Sequence, residues 1–435
     1  MGGIKAALAL IDGRLERDVE VRLDGDRIAG VDTETTASDL DDWGNVALLP
    51  GTVNAHGHAF QSLFKGFADD RSFDEWRDQV LYPFSERLDG PAIYTGALFA
   101  FAEALLAGTT TTVDFFYLHD GGNENAEHVI RAAHDIGIRL VFARAFYDIE
   151  APTSAPARYR ETTEDAARRC LELASEHEGD PLISVQPAPH SLHAASPETI
   201  ARALDVAGEL ASPCHLHLAE AVYEKEQIEK RFGTTPVRLL QREGLLRHNL
   251  VTIHTVWVDD EELDMLAEAD AGVVHCPGAN AFLGDGIARV PEMLARGVRV
   301  ALGPDGGCAN NRQSIFDEMR MASLVAKARL TDGSALGAPA VLDMGTRVGA
   351  ELLDLEAGAI APGRLADFVA LDLEDLSLQP LATLERQLVH SLQSTAISKV
   401  MVGGRLVVDG GEIMRVPLGD IRRGVNSLTT AWSRP

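Results

Sequence analysis

The chain holds only four cysteines in 435 residues, Cys170, Cys214, Cys276 and Cys308, and none forms a C-x-x-C pair with another. That excludes a disulfide framework and a cysteine-built zinc motif, and it fits a reducing, cytoplasmic setting. No apolar run approaches the length of a membrane span, and the N-terminal MGGIKAALALIDGR breaks at Asp12 without a signal-peptide core or a small-residue cleavage site. A soluble protein is expected. Lysine is also scarce, with six residues, and 39 basic side chains against 66 acidic ones leave a net charge of -27. So acidic a chain makes a poor partner for nucleic acid or an anionic membrane, which leaves small molecules. Its acidic, lysine-poor composition reads equally as adaptation to high salt or as bias without that meaning. Finally, no Gly-rich dinucleotide fingerprint follows the first strand, which disfavours a doubly wound open sheet.

What is present alternates. Residues 19–32, VEVRLDGDRIAGVD, read as a β-hairpin turning at Asp24-Gly25-Asp26, and residues 367–373 and 399–408 are short β-rich runs near the other end. Two β-rich termini predict one small β-sandwich domain built from both, with residues 1–50 and 358–435 as its parts. Between them, β-prone runs recur at 109–116, 138–146, 182–190, 214–220, 250–256, 271–277 and 298–305. Helical patterns separate several of these runs, as in 196–211, where Ser196 can cap a helix whose face is Ile200, Ala203, Leu204 and Ala207. Strand and helix alternating roughly eight times is the pattern of an α/β fold of the (β/α)8 TIM-barrel type, expected over residues 51–357.

The stretch GTVNAHGHAF, residues 51–60, carries two histidines two apart, and on an extended chain such residues face the same side. The pair alone is too common to establish a metal site. Reading the strand ends in order, however, collects His56 and His58, His190, His215 or His217 with Glu220, His254, His275 and Asp305. Barrel strand ends converge on one mouth, so these groups point to a single divalent metal ion held by imidazole and carboxylate, zinc first, with iron or manganese as alternatives. The other seven histidines, His119 and His193 among them, are expected mostly in surface or structural roles.

In this order and spacing the motifs resemble the amidohydrolase superfamily, in its cytosine-deaminase-like branch. The resemblance rests on VNAHGHAF, HLHLAE at 215–220, IHT at 253–255, HCPGANAFLGDGIA at 275–288, LGPDGGCANN at 302–311 and GAIAPGRLADFVALD at 358–372. It implies His56, His58, His217 and Asp305 as metal ligands, and it chooses His217 over His215 because the metal histidine stands three residues before the catalytic glutamate. It further implies Glu220 as proton donor, His254 as partner of the attacking oxygen and Asp305 as proton acceptor. Ammonia leaves poorly without a proton, so an acid at Glu220 favours deamination over expulsion of chloride.

Three groups of relatives bear on the substrate. SFDEWRDQVLYPFSERL at 72–88 and PAPHSLHAAS at 187–196 look most like deaminases of S-adenosylhomocysteine and methylthioadenosine, which implies His190, Arg144, and Arg158 or Arg160 as substrate contacts. One departure stands out: the carboxylate those enzymes place on the ribose falls at Ser85. HAFQ, the Tyr117-x-His119 pair and GDGI at 284–287 are similar to N-formimino-glutamate deiminase, and the triazine hydrolases form the third group. Trp76 and Asn280, with Phe60, Phe115 and Tyr117, lie near the expected mouth, and the aromatic ones favour a flat heterocycle over a small dianion. The expectation is thus a metal-dependent aminohydrolase releasing ammonia from an adenosine derivative or a related purine or triazine, possible as a homo-oligomer.

Overall fold

The computed structural model describes residues 2–33, 40–149 and 155–432. Eight parallel strands run through the middle of the chain. They are β1 (Thr52–Asn54), β2 (Thr109–Phe116), β3 (Arg139–Phe146), β4 (Ile183–Pro189), β5 (Cys214–Leu218), β6 (Leu250–His254), β7 (Gly272–His275) and β8 (Val300–Leu302). β2 and β3 are buried along their whole lengths and rich in β-branched and aromatic residues, as strands covered on both faces must be. β1 to β4 pair in sequence order in one sheet and β5 to β8 in a second. Two seams close the pair into a barrel. At one, the His217 N–H donates to the His190 carbonyl (3.1 Å); at the other, the Ala55 N–H donates to Leu302 (3.0 Å) and the Asp305 N–H to His56 (3.1 Å). The residues that close the barrel are therefore those singled out for chemistry.

Helices cover the outside of the barrel. The one at Pro197–Glu209 is capped by Ser196, whose hydroxyl accepts from the Thr199 N–H, and it buries Ile200, Ala203, Leu204 and Ala207 as the pattern predicts.

The chain termini meet in a single nine-stranded sheet with its own apolar core. Its join is the antiparallel pairing of Val46–Pro50 with Phe368–Asp372. Alternation along these two strands serves two cores: Val46, Leu48, Phe368 and Ala370 face the small domain, while Ala47, Leu49, Val369 and Leu371 pack with the barrel. One ionic contact crosses the same boundary, where Arg139 at the start of β3 makes a bidentate pair with buried Asp367 (2.9 and 3.1 Å). The C-terminal part is not all sheet. Helix Leu418–Thr429 lies on the helix Gly90–Leu106, close enough that a Cβ on Gly424 would stand 3.0 Å from Thr95. Met1 and residues 433–435, at the outer ends of the expected β-domain, lie outside the described residues.

Candidate metal centre and active site

His56, His58 and His217 bring one ring nitrogen each to a common point, and His56, His254 and Asp305 form an overlapping group, all ligand atoms lying within 4.8 Å of one another. Asp305 Oδ1 is 3.2 Å from His56 Nε2 and 3.4 Å from His58 Nε2. His58 Nδ1 lies 2.6 Å from the Phe115 carbonyl and His217 Nδ1 2.8 Å from the His190 carbonyl. A carbonyl only accepts, so both rings carry their proton on Nδ1 and turn a lone pair on Nε2 inward. Neither nitrogen of fully buried His56 has a hydrogen-bond partner. Burial holds all three imidazoles neutral, His58 down to about 3, the state in which they ligate a cation. An orphaned imidazole beside two others locked in the ligating tautomer, with a carboxylate against them, fits a divalent metal.

The backbone is bent to build this cluster. Ala219, His254 and Asp305, at or just past the ends of β5, β6 and β8, hold left-handed φ of 51°, 69° and 66°, a region costly for residues other than glycine and concentrated at functional sites. Gly303 allows the close approach of the β8 end, since a Cβ there would sit 2.7 Å from the His56 carbonyl oxygen. Beyond Ala219, the Glu220 N–H donates to the Glu224 carboxylate (2.9 Å), which fixes the turn. Glu220 Oε1 then faces His254 Nε2 at 3.4 Å. Burial, reinforced by Asp285, Asp305 and Glu224, pushes the Glu220 carboxyl well above its ordinary range, so it holds a proton. On the far side of His254, the Asn280 amide donates to Nδ1 (3.1 Å) and to Asp285 (3.4 Å). The His254 proton therefore sits on Nε2, toward Glu220.

Above the cluster lies a small cavity walled by Trp76, His190 and five tyrosines and floored by His58, His217, Glu220, His254 and Asp305. Its free space is about 50 Å³, room for water and below the roughly 300 Å³ of a typical ligand site. One wall is the segment Phe73–Ser85, in which a π-helical turn, Arg77–Leu81, separates two short α-helical pieces. Such turns recur at functional sites.

The amidohydrolase family model matches residues 47–407. The chain belongs to the amidohydrolase family. It is 34% identical over 407 residues to a 5'-deoxyadenosine deaminase of Methanothermobacter thermautotrophicus, covering 93% of this chain and 92% of that one. A 5-methylthioadenosine/S-adenosylhomocysteine deaminase of Syntrophobacter fumaroxidans is 33% identical, with 98% and 99% covered. Among solved structures, a zinc-bound adenosine deaminase from Xanthomonas campestris superposes with a TM-score of 0.91 at 27% identity over 99% of this chain and 98% of that one. Atrazine chlorohydrolase from Arthrobacter aurescens, complexed with zinc, gives 0.91 at 23% identity over 98% and 100%, a likeness of fold. The family and its deaminase relatives make this chain a hydrolase of carbon–nitrogen bonds other than peptide bonds.

In this amidohydrolase, two residues expected at the substrate stand elsewhere. Arg144 faces the surrounding helices: its fully buried guanidinium pairs with Glu161 (2.8 Å), donates to Asn123 (2.9 Å) and reaches the Ala166 carbonyl. Along β3, side chains alternate, and Arg144 falls on the outward side. Asn280 touches His254 from behind and is not in the cavity wall. Trp76 is in the wall with its indole N–H on the Cys308 carbonyl (3.1 Å), and His190 stacks on His217 at 4.8 Å. His215 sits one pleat below His217, bound to Gln186 (2.7 Å), and His275 is buried away from the cavity. His193, expected among the structural histidines, lines the wall, as do Tyr82, Tyr147, Tyr159 and Tyr223. A signal for these was their place just after predicted strands or in the loops beyond them, where the mouth must lie.

Proposed function

We propose that this amidohydrolase deaminates an amino-substituted nitrogen heterocycle, an adenosine derivative first, on one divalent ion, zinc by the chemistry of its donors. Glu220 carries the reading: a protonated carboxyl buried in the cavity beside the ligand cluster is what an amine leaving group requires. His56, His58, His217 and Asp305 would hold the ion. An ion bound there activates water for attack near neutral pH.

The remaining steps belong to the chain's own groups. Glu220 gives its proton to the ring nitrogen next to the amine-bearing carbon, making that carbon electrophilic. Water adds to the carbon, and Asp305 accepts the proton the water loses. His254, with Nε2–H directed into the site, hydrogen-bonds the oxygen as charge develops on it. Asp305 passes that proton to the amine, the carbon–nitrogen bond breaks to release ammonia, and the hydroxyl proton returns to Glu220 as the carbon becomes a carbonyl. The walls exclude bulk water, and Trp76 and the tyrosines offer flat faces to a ring. Residues 51–357 form the catalytic barrel in this reading, with 1–50 and 358–435 supporting it.

The test is product analysis with metal-loaded protein on adenosine derivatives, guanine-type bases, aminotriazines, chlorotriazines and formimino-glutamate. Ammonia from an adenosine derivative is the expected result. Chloride from a chlorotriazine without ammonia from any amine would replace this reading with dehalogenation.

A further inference from the structure

Five of the chain's six tyrosines, Tyr82, Tyr117, Tyr147, Tyr159 and Tyr223, line the cavity over the metal cluster. Among the described residues, one cationic side chain stands with them, Arg77, and Asp74 (3.0 Å) and Asp78 (2.8 Å) already engage it. Behind the wall, Arg158 is held by Asp120 (2.6 Å) and by the Ser85 and Leu88 carbonyls, and Arg144 by Glu161. Residues 150–154, EAPTS, contain no basic side chain. Away from the metal cluster, a substrate carboxylate or phosphate would thus meet no uncommitted cationic side chain among the described residues of the wall, and burying an unpaired charge is costly.

The same wall specifies what it does accept. Ser85 is fully buried, with its hydroxyl 2.9 Å from the Tyr82 carbonyl and 2.6 Å from the Tyr159 hydroxyl. Serine has one proton and the carbonyl can only accept, so that proton goes to Tyr82 and the second contact is Tyr159 O–H donating to Ser85 Oγ. Tyr159 lines the cavity, and with its own proton committed its oxygen can join a further hydrogen bond only as an acceptor.

We propose that Tyr159, set by Ser85, accepts a hydrogen bond from a hydroxyl on the non-reacting part of the substrate, and that this part is uncharged: a neutral nucleoside, not one bearing a carboxylate tail or a phosphate. Tyr159 is a specificity-determining residue in this account and Ser85 a positioning residue. The proposal rests on the deaminase reading and narrows it.

The experiment compares kcat/KM for ammonia release by the metal-loaded protein on 5'-methylthioadenosine, its 2',3'-dideoxy analogue, which has no hydroxyl, S-adenosylhomocysteine and adenosine 5'-monophosphate. Methylthioadenosine is expected to exceed the two charged nucleosides by about tenfold or more. Tyr159→Phe should lower kcat/KM for methylthioadenosine about tenfold more than for the dideoxy compound, mainly through KM. Ser85→Ala, which frees the Tyr159 proton, should move the same ratio in the same direction by about threefold. Equal turnover of the charged nucleosides, or equal losses on hydroxylated and dideoxy substrates in both variants, overturns the proposal. Ammonia from no heterocycle at all overturns the deaminase reading beneath it.

Discussion

Glu220 and Asn280 are the residues on which the chemistry can be tested most sharply. Glu220→Gln keeps the shape of the site and removes the transferable proton, so kcat should fall by about 10²–10⁴-fold with the metal content unchanged; full activity would remove Glu220 from proton delivery. Asn280→Asp replaces the amide that donates to His254 Nδ1 with a carboxylate that accepts from it, which moves the imidazole proton off Nε2. A drop in kcat of about 10²-fold is expected, larger than any change in KM, and a variant as active as the parent would show that the His254 proton lies on Nδ1. The convergence of His56, His58, His217, His254, Glu220 and Asp305 was legible because each stands at or just past a strand end. The same reading also collected His215 and His275, and only the resemblance chose His217 over His215. Arg144 misled because the resemblance carried its role across while the alternation of β3 turns it outward. The tyrosines carried only a weak signal, their place after predicted strands or in the loops beyond: Tyr82, Tyr147, Tyr159 and Tyr223 come from four separate segments, and each alone looks like an ordinary aromatic.

At the scale of elements, the strands were legible where they are long and buried. The run 109–116 coincides with β2, and β3 and β4 each begin one residue inside theirs. β1 is the exception. Its three residues, Thr52–Asn54, are too short for any periodicity, and the apolar Val46–Leu49 before it belongs to the other sheet. What joins the two sheets could not be read at all, since Arg139 and Asp367 lie 228 residues apart. Asp367 also accepts from the Gly403 N–H (2.7 Å), so its carboxylate ties three segments together. Asp367→Ala leaves the Arg139 guanidinium buried without its counter-charge and should cost about 3–5 kcal/mol in denaturant unfolding. A loss below about 1 kcal/mol would mean that solvent or the Pro181 carbonyl, which Arg139 also reaches, compensates.

The whole molecule carries a charge of -27, and that total acts on the compact state through self-repulsion. Raising NaCl from about 0.1 M to about 2 M should therefore raise the melting temperature; a lower one would show that surface ion pairs outweigh the repulsion. Acidity acts a second way. Burial pushes the carboxyls of Asp114, Glu224, Asp285 and Glu318 each up to about 7. A group whose folded pKa is raised contributes stability that is fully present below its unfolded pKa, near 4, and is lost as pH rises through the folded value. Stability should fall between about pH 5 and 8 at constant ionic strength, and a melting temperature that climbs over that range would contradict the assignment. At this scale the central step is release of ammonia driven by one metal centre. The most direct measurement is to strip the protein with a chelator and titrate a divalent ion back while following ammonia release from an adenosine derivative. Activity that is absent at the start and rises linearly to a plateau at one ion per chain is the predicted result. Ammonia release undiminished in the metal-free protein would contradict it.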